Sequence, residues 1–85
     1  MIDEQARAFG AIGDATRLRI VRLVREREMA GHEIASALGI SPALACHHLK
    51  ELVGCGLLSR RRIGRSKRYA LNRALLEQHV RALLA

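Results

Sequence analysis

The sequence contains almost no aromatic residues, with one Phe, one Tyr and no Trp in 85 residues. Any hydrophobic core must therefore consist of Leu, Ile, Val and Ala, and because 49% of the residues are hydrophobic, this composition favours packed helices over a sheet sandwich. A chain of this length forms a single domain, here residues 1–85, and buries only a modest fraction of its surface. A partner subunit would therefore help to stabilise it.

Long hydrophobic runs are also missing. No apolar segment approaches the roughly 20 residues that span a bilayer, and the chain does not open with a charged start, an apolar segment and a cleavage site. We therefore predict a cytoplasmic protein with no membrane partner.

Cysteine is scarce, with only Cys46 and Cys55, and neither belongs to a Cys-x-x-Cys pair. This excludes a disulfide framework and the common zinc and thioredoxin-like patterns. No Ser-His-Asp or Cys-His set has a plausible geometry, and no phosphate-binding glycine loop occurs. We predict two reduced thiols, no metal, no cofactor and no enzymatic activity.

Acidic residues are absent between Glu51 and Glu77, in a chain whose net charge is +7. The same interval holds seven basic residues, namely Arg60, Arg61, Arg62, Arg65, Lys67, Arg68 and Arg73. A patch of this kind favours an anionic partner such as nucleic acid, whereas evenly spread charge would indicate only a basic surface.

Helical spacing runs through the first half of the chain. Residues 3–12 predict a first helix, and Asp14 is a suitable N-cap for a second helix that extends to about Arg27. The inward residues of that second helix are predicted to be Leu18, Ile20, Val21, Leu23 and Val24. A short third helix begins at Gly31, and Gly39 follows it in the position of a left-handed C-cap.

The next helix, residues 41–53, has Ser41 as its cap and Pro42 in the first position, where a missing N–H costs nothing. Two helices joined by a four-residue turn have the geometry of a helix-turn-helix, in which the second helix enters the major groove. Residues 57–71 then alternate around Gly64-Arg65-Ser66 and predict a basic β-hairpin. Residues 73–84 return to helical spacing with an apolar stripe too wide for a lone exposed helix.

Two segments resemble the winged-helix repressors of the ArsR/SmtB family, over almost the whole chain. They read GDATRLRIVRLV and ALGISPALACHHLKELVGCGLLSRRRIGRSKRYAL. The most specific parts are the Gly13–Ile20 run and the His48-Leu49-Lys50-x-Leu52 run followed by Gly56-Leu57-Leu58. The fold class expected is mainly α with a small β-hairpin, a winged helix-turn-helix with about five helices and a two-stranded wing.

The resemblance also implies a homodimer that binds an inverted repeat in double-stranded DNA and leaves it when a ligand changes the geometry of the dimer. We predict a small-molecule or redox effector for this chain. Dimerisation would use the first and last helices. The unpartnered apolar stripes of residues 3–12 and 73–84 point to the same two helices.

The residues predicted to bind DNA are Ser41, Ala43, Leu44, Cys46, His47, Lys50, Arg62, Arg65, Ser66 and Lys67. Ser41 and the exposed residues in the first half of the helix would approach base edges, while Lys50 and the hairpin arginines would neutralise phosphates. His47 could form a hydrogen bond to a base, and the alternative is a solvated surface histidine. Arg65 at the hairpin tip suits a narrow minor groove. Because strand side chains alternate, residues 60–62 cannot all face DNA.

Neither familiar metal site of the family transfers to this chain. Residues 28–33 contain no cysteine, and the last helix carries His79 and Glu77 without the expected Asp and second His. His48 matches a family histidine, and its inward placement indicates a structural role.

Cys46 supports a redox-switch hypothesis, because His47 and Lys50 beside it would favour its oxidisable thiolate form. The alternative is a small residue tolerated at a protein–DNA surface.

Two other functions compete with the regulator. One is a non-sensing architectural winged helix that binds many nucleic-acid sequences with similar affinity. The other is a dimerisation or interaction module, although dimerisation alone does not require a basic hairpin.

Overall fold

The computed structural model describes residues 1–85 as five helices and one antiparallel sheet. The elements are α1 (Ile2–Ile12), α2 (Ala15–Val24), β1 (Met29–Ala30), α3 (Gly31–Leu38), α4 (Pro42–Gly54), β2 (Leu58–Ile63), β3 (Ser66–Leu71) and α5 (Arg73–Leu84). Helices α3 and α4 form the helix-turn-helix, and the hairpin of β2 and β3 forms the wing. The predicted fold class, a winged helix-turn-helix, is confirmed.

Side chains and backbone at the helix ends explain why the helices begin and end where they do. The Asp14 carboxylate accepts a backbone N–H from the first turn of α2 at 3.0 Å, and Ser41 Oγ does the same for α4 at 3.1 Å. Gly39 ends α3 with φ +65°, a left-handed conformation that glycine adopts without a steric penalty. The tight turn between α3 and α4 is therefore encoded locally.

The core lies where α2, α3, α4 and the sheet meet, and it is aliphatic apart from one tyrosine ring. Four large side chains are fully buried: Ile20, Ile34, Leu52 and Leu57. The other core residues are Ala8, Val21, Val24, Met29, Leu49, Leu58 and Tyr69. Burial of this cluster fixes α4 and the base of the wing relative to each other.

Three details differ from the sequence-based expectations. The sheet has a third strand, β1, in which Met29 pairs with Tyr69, so that the strand order is β1-β3-β2. A two-residue strand leaves no periodic signal. Helix α2 ends at Val24 rather than near Arg27, and Leu18 on α2 is 45% exposed rather than inward.

Helices α1 and α5 leave apolar side chains in solvent. His79 is buried against the edge of the Phe9 ring, with the ring centroids 6.2 Å apart, so the two helices meet there. The exposed apolar residues are Met1, Ile2, Val80, Leu83 and Leu84. None of the five helices combines the length and the hydropathy needed to cross a membrane.

Candidate nucleic-acid interface

Helix α4 is anchored along one face and exposed along the other. Its buried residues are Ala45, His48, Leu49 and Leu52. At 100° per residue, Ala43, His47 and Lys50 project from the opposite side, and all three are exposed. Leu44 and Cys46 flank them and are exposed as well. Because the buried residues of α4 pack in the core, the backbone that carries the exposed face is held in place.

His48 connects α4 to the start of α2. Its Nδ1 lies 3.5 Å from Arg17 Nη1 and 3.9 Å from the Asp14 carboxylate, while Arg17 Nε donates to the Ala11 carbonyl at 2.7 Å. The ring is only 8% exposed. This geometry holds the orientation of α4, which is the structural role inferred for His48.

The wing ends in a tight two-residue turn. Arg62 pairs with Lys67 and Ile63 with Ser66, so that Gly64 and Arg65 alone connect the strands. Gly64 has φ +60°, which suits the first central position of a type II′ hairpin turn. Arg65 is therefore presented at the extreme tip.

The strand register sorts the basic residues of the wing between two faces. Directly opposed residues share a face, as do residues two apart on one strand. Arg62 and Lys67 therefore lie on the face of Tyr69, which packs toward the core. Arg61 and Arg68 oppose each other on the other face. The residues of the basic interval without an ion pair are Arg60, Arg62, Arg65, Lys67 and Arg73.

Glu28, just before β1, holds the second face of the wing. Its carboxylate accepts two hydrogen bonds from Arg61, at 2.7 and 2.8 Å, and one from Arg68 at 3.2 Å. Arg68 also donates to the Glu28 carbonyl at 3.3 Å and lies 3.6 Å from Glu33. These bonds join the wing to the segment that leads into α3.

Three carboxyl groups are held in their ionised form. The hydrogen bond from Arg61 is the main cause that lowers the pKa of Glu28, and backbone N–H donors from Arg17 and Ala30 lower the pKa values of Asp14 and Glu33. Since their folded pKa values lie below the unfolded ones, these groups stabilise the protein fully above the unfolded pKa of about 4.

We expect the free energy of unfolding to fall as pH decreases through the folded pKa values of these groups, below about pH 4. The Glu28→Gln variant should show a shallower acid slope, measured by urea unfolding between pH 2.5 and 7. The matched control is Glu26→Gln, which removes an exposed carboxylate that pairs with the neighbouring Arg25. Equal slopes for the wild-type protein and Glu28→Gln would contradict the prediction.

A shallow groove lies between the start of α3, the first half of α4 and Tyr69 of β3. It is lined by Gly31, His32, Pro42, Ala45, Cys46, Leu49 and Tyr69. Tyr69 belongs to β3, and Cys46 stands on the flank of α4 that faces the groove.

Nine of the ten residues predicted to bind DNA are exposed, and they lie on α4, at its N-cap or at the distal end of the wing. Ser66 is half-buried and lies on the face of Arg61 rather than that of Arg62. Arg60 was not predicted, yet it is exposed and shares the face of Arg62. Strand alternation from Arg62 was the signal that could have identified it.

Neither thiol joins a cluster of potential metal ligands. Cys46 and Cys55 are free cysteines, and no group of three or more His, Cys, Asp and Glu side chains converges. Cys55 Sγ donates to the Leu52 carbonyl at 3.4 Å. The structure therefore brings no ligand set to the interface.

The comparisons with known proteins match this geometry. The family model described as bacterial regulatory protein, arsR family, matches residues 14–60. The probable mercury resistance operon repressor of Streptomyces lividans is 38% identical over 69 residues, which are 81% of this chain and 55% of that protein. The chain thus spans just over half the length of this relative.

Two solved structures share the fold. An ArsR-like transcriptional regulator from Rhodococcus sp. RHA1 superposes with a TM-score of 0.89 at 30% identity, covering 96% of this chain and 77% of that one. The homodimeric winged helix-turn-helix DNA-binding domain, fragment 1–100, of a Mycobacterium bovis protein gives a TM-score of 0.84 at 27% identity, covering 98% and 78%.

Proposed function

The chain belongs to the arsR family of bacterial regulatory proteins, and from this premise we propose that it is a homodimeric repressor that binds an inverted repeat in double-stranded DNA and is released by an effector. The family consists of regulators rather than enzymes. The observation that carries the proposal is the pairing of a rigid exposed α4 face with a wing whose unpaired basic residues lie at its distal end.

In this proposal the N-terminal half of α4 reads bases, while Lys50 and the wing bind phosphates. His47 can donate or accept a hydrogen bond at a base edge, while Ala43 and Leu44 offer apolar contact to a thymine methyl. The Ser41 hydroxyl accepts the capping bond and keeps its own proton to donate to a base edge. Arg65 at the turn is placed to enter a minor groove.

The dimer is supported by the apolar surface of α1 and α5. Val80 and Leu83 on α5 and Ile2 on α1 are exposed in the protomer, and a second copy would remove them from water. The homodimeric relative from Mycobacterium bovis supports the same assembly. A two-fold dimer would place two α4 helices on half-sites about one helical turn apart.

Removing two charges from the wing should lower the salt dependence of binding. We expect the Arg62→Ala/Lys67→Ala double variant to reduce the slope of log affinity against log salt concentration by about 2, because each phosphate contact contributes about 0.9. Fluorescence anisotropy with a labelled duplex at several salt concentrations measures the slope.

The control is Arg19→Ala/Arg22→Ala, which removes the same charge from exposed positions of α2. Its slope should stay near that of the wild-type protein, since α2 lies outside the proposed interface. Similar slopes for the two double variants would mean that only net charge matters.

The effector is proposed to act at the interface, with the Cys46 thiol as a redox-sensitive candidate. Cys46 is exposed beside the groove, and an added oxygen or bulky thiol there would obstruct docking of α4 on DNA. We expect mild peroxide to weaken operator binding in the wild-type protein and to leave Cys46→Ser unaffected, as measured by gel shift. Equal loss of binding in the two proteins would contradict a role for Cys46, and a small-molecule effector would then take its place.

Selection from genomic DNA tests the proposed function. The purified protein captures sheared fragments, which are sequenced, and the capture is repeated with oxidant, reductant and a panel of divalent metals. We expect an enriched inverted repeat that is lost under one of these conditions, and the His47→Ala/Lys50→Ala variant should not enrich it. Uniform recovery of all fragments would support an architectural protein instead.

A further inference from the structure

We propose that Glu28 is a positioning residue for DNA recognition, which clamps the wing in the register that presents Arg62 and Lys67 and withdraws Arg61 and Arg68 from the duplex. This inference rests on the proposed function. Glu28 itself lies outside the proposed DNA-contacting residues, on the segment between α2 and β1.

The clamp lies at the last supported point of the hairpin. Strand β1 pairs with β3 only at Tyr69 and Arg68. Beyond that point β2 and β3 form an isolated two-stranded ribbon, and such ribbons are only marginally stable in water. The pair Arg61 and Arg68 is the next register position below Arg62 and Lys67. Glu28 therefore fixes the wing immediately before its DNA-binding end.

The hydrogen bonds of Glu28 fix the orientation of the Arg61 and Arg68 side chains in addition to attracting their charges. The paired bonds to Arg61, at 2.7 and 2.8 Å, fix the plane of the guanidinium, and Arg68 is held by both the carboxylate and the backbone carbonyl of Glu28. The Glu28 and Arg68 side chains are only 26% and 29% exposed, so solvent screens this part of the cluster incompletely.

Without Glu28, two like charges would oppose each other directly across the strands, which destabilises a ladder. Arg61 has no other acidic partner and would become available to any phosphate, whereas Arg68 would keep only Glu33, at 3.6 Å. Phosphate contacts carry no sequence information. Loss of the clamp should thus increase non-specific binding while it loosens the presentation of the specific contacts.

The test compares Glu28→Gln with Glu26→Gln, a matched variant that removes a carboxylate two residues away. Glu26 pairs only with Arg25, at 3.2 Å, and does not touch the wing. Affinity is measured for the selected repeat and for a scrambled duplex of the same length at several salt concentrations. Amide hydrogen exchange of residues 60–69 reports the order of the wing.

For Glu28→Gln we expect the ratio of specific to non-specific affinity to fall by about threefold or more, and the salt slope for the scrambled duplex to steepen by about 1 as Arg61 is released. Exchange in the wing should accelerate. Glu26→Gln should raise both affinities alike and leave the ratio and the exchange unchanged.

The Arg61→Gln/Arg68→Gln variant separates the clamp from simple charge repulsion, and it keeps the test usable if Glu28→Gln does not fold. It should lower the ratio without steepening the slope, and adding Glu28→Gln to it should change the ratio no further.

Three results decide between the clamp and its alternatives. An unchanged ratio of specific to non-specific affinity in Glu28→Gln would overturn the Glu28 clamp but not the proposed function. A further fall of this ratio when Glu28→Gln is added to the Arg61 and Arg68 double variant would do the same. A wild-type protein with no preference for any duplex would overturn the proposed function, and the positioning role with it.

Discussion

Replacing Val80 with Glu is expected to convert the proposed homodimer into monomers and to weaken binding of the proposed inverted repeat by about a hundredfold or more. Val80 lies on the outer face of α5 and is 40% exposed in the protomer, so the change adds a charge to the proposed dimer surface without opening the core. The affinity of two linked DNA-binding domains typically exceeds that of one domain by a factor of about 10² to 10⁴. Sedimentation velocity and anisotropy titration measure the two effects.

The control for this variant is Ala74→Glu. Ala74 is exposed on another face of α5, and the substitution introduces the same charge. The Ala74→Glu protein should remain dimeric, and its affinity for DNA should change only by the small amount that one added negative charge causes. A Val80→Glu protein that stayed dimeric at micromolar concentration would contradict the assignment of α5 to the dimer interface.

Replacing Leu52 with Ala is expected to cost about 2 to 5 kcal/mol of folding stability, the range for deleting a fully buried leucine side chain. Leu52 on α4 is fully buried in the cluster that joins the helices to the sheet. For a domain of this size the melting temperature should fall by roughly 10 °C or more. Urea unfolding at one fixed protein concentration measures the loss, since the proposed dimerisation would make stability depend on concentration.

Leu44→Ala is the matched control, because it removes the same atoms from an exposed position of the same helix. We expect its stability to stay within about 0.5 kcal/mol of the wild-type protein, while its binding to DNA falls if Leu44 contacts a thymine methyl. Equal losses of stability at the two positions would mean that the core is not where the structure places it.

The helix-turn-helix was predictable from the sequence because its signals are local. Gly39, Ser41 and Pro42 act within one turn of their own position, through capping bonds and permitted backbone angles. The hairpin was predictable for the same reason, since Gly64 supplies the positive φ of its turn.

The details that escaped prediction depend on contacts between distant parts of the chain. Strand β1 exists because Met29 pairs with Tyr69, forty residues away. The separation of the wing arginines into two faces follows from strand alternation, but which face is neutralised depends on Glu28, thirty-three residues before Arg61. Leu18 fits the helical stripe of α2, yet packing in the protomer leaves it 45% exposed.

Hydroxyl-radical footprinting on the selected repeat tests the central claim, that α4 and the wing of each protomer bind one half-site. We expect two protected regions related by two-fold symmetry, with half-site centres about 10 base pairs apart or a multiple of that spacing. The outer minor-groove protection should disappear in the Arg65→Ala variant. Even protection along the whole fragment, or flanks that Arg65→Ala leaves intact, would contradict this mode of binding.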